Sequence, residues 1–168
     1  TNKPETDRHL SLALEGDGRL EEAAQVARRA FEAAPTSVEA LQLYVHQMLR
    51  LEKRAEAREA LIALIDKGCT SGDLYNVVGE LFYYDNMTEE AKAHFGKAGE
   101  MGAAAAHNNL GVVYFAQGHY AEAQKAFQDC LAIDPEHRGA QRSLSIVAKH
   151  LAQRKGRFDA GNLNKPQP

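Results

Sequence analysis

Histidine, cysteine and carboxylate side chains are the groups in this chain that could bind a metal or act as nucleophile, acid or base. Their spacing argues against each role. The seven histidines (His9, His46, His94, His107, His119, His137 and His150) include no pair at i, i+4 with a glutamate between them, and no other zinc-ligand spacing is present. Cys69 and Cys130 are the only cysteines, too few for a disulfide framework or a thiolate zinc ring. Cys130 falls on the inner face of a helical stretch and reads as a small core residue. There is no glycine-rich phosphate loop, nucleophile elbow or paired-carboxylate arrangement, and "GDG" at 16–18 suits a turn between helices. The expectation is a protein that is not an enzyme, with no catalytic residue, no metal and no cofactor.

Composition narrows the class. Hydrophobic residues make up 44% and charged residues 26%, enough for a packed core under a solvated surface. A net charge of −3 argues against a general nucleic-acid binder, which carries a basic surplus. No run approaches the roughly 18 to 20 apolar residues that cross a bilayer, and no charged-then-apolar leader follows Thr1. Opening on Thr1 rather than Met is expected of a trimmed or mature chain. The run "RLEKRAEAREA" at 50–60 alternates in sign and reads as a solvated helix face.

The positioning elements repeat. "LGVVY" at 110–114 answers to "VGELF" at 78–82, and Ala123 and Phe127 answer to Ala91 and Phe95. Another step back reaches Ala57 and Leu61, and another Ala23 and Ala27. Each unit reads as two helices, since Leu110, Val113 and Tyr114, then Ala123, Phe127 and Leu131, recur at helical spacing. Gly118 in "AQGHY" and Asn86 in "YDNMT" suit a left-handed position after the first helix. Thr88 is expected as a helix N-cap. Pro35 and Pro135 stop the second helices, because proline lacks the N–H that another turn needs. Gly111 and Ala123 are small residues where the two helices of a pair must approach closely. The unit from Val38 is the weakest, with Val45 in the glycine place and neither Gly nor Asn in its turn.

These residues resemble the tetratricopeptide repeat, whose unit of about 34 residues carries W-x2-L-G-x2-Y, A-x3-F and P. Leu110, Gly111, Tyr114, Ala123, Phe127 and Pro135 supply the pattern, with His107 in the tryptophan place. The resemblance implies an all-α TPR solenoid of about four helix-turn-helix repeats, at about 4–37, 38–71, 72–103 and 104–137. A capping helix over 138–153 completes a domain of 4–153, and 154–168 reads as a flexible polar tail.

In such solenoids the first helix of each pair lines a concave face, and the positions not used for packing face a partner. Gln42, Asn76, Asn108 and Arg142 recur at one position and would form a polar ladder able to meet a peptide backbone. Leu49, Tyr83 and Phe115 form an apolar row beside it, and His46, Glu80, Asn109 and Val112 share the projected face. The family's clamp for a C-terminal carboxylate is incomplete: Asn109 matches, while Asn76, Glu80, Gly139 and Ser143 stand where other residues are usual. A chaperone tail is therefore not the expected ligand. The resemblance implies a scaffold that binds a protein or peptide, with no nucleic acid. The alanine-rich style is similar to bacterial members that serve pilus assembly or secretion, such as pilus-assembly lipoproteins of the TadD type, in the periplasm or at the outer membrane. Alternatives are a cytoplasmic secretion chaperone that holds an unfolded client, a regulatory domain of a larger enzyme, or a self-assembling structural protein.

Overall fold

The computed structural model describes the backbone of residues 3–35 and 37–163 and the side chains of residues 6–35 and 37–154. Nine helices and no strand occur among the described residues. They are α1 (Lys3–Gly16), α2 (Leu20–Ala33), α3 (Val38–Arg50), α4 (Arg54–Asp66), α5 (Gly72–Tyr84), α6 (Thr88–Glu100), α7 (Ala104–Ala116), α8 (Tyr120–Ile133) and α9 (Arg138–Leu163). This is the all-α class that the 3.6-residue periodicity predicts. None of the described helices is long and apolar enough to cross a membrane.

Packing groups the chain into two units that part inside α6, Thr1–Ala91 and Lys92–Pro168. In the first, α1 packs on α2 and α3, α2 on α3, and α3 on α4 and α5, with α4 also on α5. Leu14, Ala23 and Val26 close the α1–α2 contact, and the Ser11 hydroxyl donates to the Ala23 carbonyl at 3.1 Å. Phe31 of α2 and Tyr44 of α3 stack with ring centroids 4.8 Å apart. In the second unit, α7 and α9 both pack on α8 and on each other. Ala123, Phe127, Cys130, Ala140 and Val147 form its buried centre, so Cys130 is a core residue and burial pushes its thiol pKa up.

The turn inside each pair holds one residue with positive φ: Gly18 (76°), Glu52 (59°), Asn86 (60°) and Gly118 (77°). A left-handed residue lets the chain reverse while its N–H still meets the helix end. The α3–α4 pair forms even though Glu52 fills that position, a conformation costing an L-residue roughly 1–2 kcal/mol.

Helix starts also correspond. Ser37 and Ser71 cap α3 and α5, their hydroxyls accepting from the Ala40 and Leu74 N–H groups at 3.3 and 3.1 Å. Ala103 leaves α7 without a side-chain cap, and before α9 the His137 Nδ1 accepts from the Ala140 N–H at 3.1 Å. Thr88 is the first residue of α6 rather than the residue before it. α9 continues past 153 to Leu163, because no proline intervenes before Pro166; residues 164–168 of the expected tail lie outside the described residues.

Candidate partner-binding site

Close approach within the second unit explains Gly99 and Gly111. A Cβ on Gly111 would lie 2.6 Å from the Phe127 ring, and one on Gly99 would lie 2.7 Å from the His107 ring. The atoms nearest a Cβ on Gly111 are those of the Phe127 ring, four residues beyond Ala123 on the same helix. These contacts fix the rotation of α7 about its axis and thereby which side chains face outward.

Val112 is turned out, 39% exposed, on the opposite side of α7 from the buried Gly111 and Val113. Asn108 and Asn109 are half-buried. The Asn108 Oδ1 is enclosed without a hydrogen-bond partner and lies where a Cβ on Gly139 would come within 3.6 Å. Phe115 is half-buried, edge-on to Tyr120 at 5.4 Å and to His150 at 5.5 Å. It packs partly buried against the core of its own unit. Arg142 is exposed on α9, its Nε donating to the Arg138 carbonyl at 3.3 Å.

In the first unit Gln42, His46 and Leu49 are exposed along α3. Gln42 and His46 line a cavity of about 250 Å³ together with Arg8, Leu12, Glu39 and Leu43. A second cavity of about 280 Å³ shares the lining residues Arg8, Glu39 and Leu43 and is also lined by Ala30 and Ala34. Two residues absent from the sequence expectation, Arg8 and Leu12, therefore belong to this face. They sit on α1, where Leu12 is left 42% exposed. Asn76 is buried and its Nδ2 donates to Glu80 Oε1 at 2.9 Å; Tyr83 is half-buried with its ring 6.5 Å from Tyr84.

Beside the cavity, Glu15 organises α1 against α3. Its Oε2 accepts from Gln47 Nε2 at 3.0 Å and meets His46 Nε2 at 3.0 Å, and its Oε1 meets Arg50 Nε at 2.8 Å. The hydrogen bond from Gln47, then that from His46, holds the Glu15 carboxyl below its ordinary pKa. Gln47 is fully buried and its Oε1 has no partner among the described residues. Among the described residues no three His, Cys, Asp or Glu side chains gather as a metal site.

Residues 104–137 match the family model described as tetratricopeptide repeat. No curated protein matches the sequence. Among solved structures, that of MamA is 20% identical and superposes with a TM-score of 0.65 over 86% of each chain. PilF of Pseudomonas aeruginosa is 17% identical, with a TM-score of 0.69 over 99% of this chain and 78% of its own. YrrB, described as a TPR protein with an unusual peptide-binding site, is 19% identical, with a TM-score of 0.58 over 88% of this chain and 77% of its own. The likeness is one of fold.

Proposed function

We propose that this chain, a tetratricopeptide repeat protein, binds a peptide or helix of a partner protein along the outward faces of its first helices. The observation that carries the reading is the cavity between α1 and α3, where Arg8, Glu39, Gln42 and His46 surround Leu12 and Leu43. Apolar floor with convergent polar walls is what a peptide side chain and its flanking backbone require. Leu49 of the same face, and Val112 of α7, are large apolar groups left 37% and 39% exposed, as anchors for a partner are. Asn109, Phe115 and Arg142 complete the face of the second unit. Asn76, Glu80, Tyr83 and Asn108 are enclosed enough to act by shaping it rather than by reaching far into a ligand. The pathway we propose is bacterial pilus assembly or secretion, on the style of the sequence.

Substitution of exposed residues alone tests this without disturbing the core. Displayed random peptides are selected on the wild type, and the winners are titrated against Gln42→Ala/His46→Ala/Leu49→Ala and against Val112→Ser, each checked for unchanged helicity. Loss of about tenfold in affinity, or about 1.4 kcal/mol, on at least one variant is the expected result. Peptides that bind all three proteins equally would place recognition elsewhere.

A further inference from the structure

Basic residues in the first unit repeatedly meet carboxylates: Arg19 with Glu22, Arg28 with Glu32, Arg50 with Glu15, and both Arg54 and Arg58 with Asp85. Those of α9 do not. Arg138, Arg142 and Lys149 are exposed and form no ion pair among the described residues. No Asp or Glu occurs between Glu136 and Asp159, and α7, which packs on α9, has no Asp, Glu, Lys or Arg.

The three cations share one side of α9. They stand at i, i+4 and i+11, and Ile146 at i+8 lies among them, all within about 80° of the helix circumference and about 16 Å of its length. Ile146 is 49% exposed. Ala140, Leu144, Val147 and Leu151 meanwhile turn into the core of the second unit, so the stripe is the face that core packing leaves over. The back-bond from Arg142 Nε to the Arg138 carbonyl leaves the guanidinium NH2 groups for an external acceptor.

We infer that this stripe docks an acidic amphipathic segment of the partner protein, with carboxylates bracketing an apolar side chain at the spacing of Arg142, Ile146 and Lys149. The inference rests on the binding reading above and narrows the chemistry of the ligand. Three cations beside one aliphatic side chain match such a segment better than a nucleic acid, which offers Ile146 nothing apolar and favours a basic surplus that a chain of net charge −3 lacks. A bilayer surface requires a broad apolar helix face, and Ala140, Leu144, Val147 and Leu151 of α9 are spent on the core of their own unit.

Dodecapeptides displayed at random are selected in parallel on the wild type and on Arg142→Glu/Lys149→Glu, after circular dichroism shows equal helicity. The wild-type pool is expected to be rich in Asp and Glu flanking Leu, Ile or Phe, and the reversed protein to select Lys and Arg instead. A synthetic wild-type winner should lose at least about tenfold in affinity on the reversed protein, and Ile146→Ser should weaken it with the charges intact. A pool without acidic enrichment, or one indifferent to the reversal, overturns the inference; if that pool is still lost on the α3 variant, the binding reading survives alone. No selectable peptide at all sinks both. Sedimentation with phosphatidylserine-containing vesicles that is abolished by the reversal would assign the stripe to a membrane and overturn the protein ligand.

Discussion

The α1–α5 region and the α7–α9 region solve the same packing problem with different chemistry. In the first, charged and amide side chains bridge helices: Glu15 of α1 to His46, Gln47 and Arg50 of α3, and Arg54 and Arg58 of α4 to Asp85 just beyond α5. In the second, a glycine backbone meets an aromatic ring, Gly111 against Phe127, and a compact apolar centre forms around it. Val45 and Leu61 hold the corresponding places of α3 and α4, so bulk is shared between the helices there instead of being carried by one ring. A ring on glycine tolerates neither a smaller nor a larger neighbour, whereas polar bridges at a surface can be lost singly at modest cost. The difference also decides what is left over. Carboxylates that bridge helices pair with Arg50, Arg54 and Arg58 in the first region, whereas Arg138, Arg142 and Lys149 of α9 are exposed and form no ion pair among the described residues.

The largest test of that contrast is Phe127→Ala, expected to cost about 3–5 kcal/mol because it empties the space over Gly111. Hydrogen exchange should then rise across α7–α9 and much less across α1–α4; equal loss in both would show that the two regions unfold as one. Gly111→Ala probes the same contact from the other side, and its Cβ, 2.6 Å from the ring, should cost about 1–3 kcal/mol by urea denaturation. Next comes a mirrored pair at the turn position. Glu52→Gly should stabilise by about 1 kcal/mol, and Gly118→Ala should destabilise by a similar amount, because both sites have positive φ. If both changes are neutral, the turn does not limit stability.

The smallest effects are those of pH. Burial lowers the His94 pKa, so the unfolded chain takes up a proton that the folded one resists. Stability should therefore fall as pH drops below the ordinary histidine value of about 6.5, and His94→Asn should flatten that limb. The Glu15 carboxyl is also lowered, so its contribution is present above about 4.3 and is lost as pH falls through its folded value. Glu15→Gln should remove this second, salt-sensitive limb; thermal melts from pH 3 to 7.5 at two salt concentrations separate the two limbs.

Much of the fold could be read from residue order. Helical spacing of Leu110, Val113 and Tyr114, the prolines after α2 and α8, and Gly118 in its turn act through neighbours in the chain, and local chemistry suffices to place them. The α3–α4 pair was readable only by register, since Glu52 carries none of the usual signals for a left-handed turn. Its φ of 59° is left-handed all the same. For the candidate site, exposure of Gln42, His46, Leu49, Val112 and Arg142 followed from helical projection, because a helix face is a matter of counting.

What counting could not supply was partnership. Asn76 and Phe115 project with the exposed residues yet are drawn inward, one by Glu80 and the other by Tyr120 and His150. Arg8 and Leu12 join the cavity only because α1 packs on α3. The sequence by itself thus determined the helices, their pairing and the repeat, which depend on short-range backbone and periodicity. Only the tertiary structure decided which polar groups are satisfied inside the protein and which, like Arg138, Arg142 and Lys149 of α9, are left facing out, because that depends on side chains brought together from distant parts of the chain.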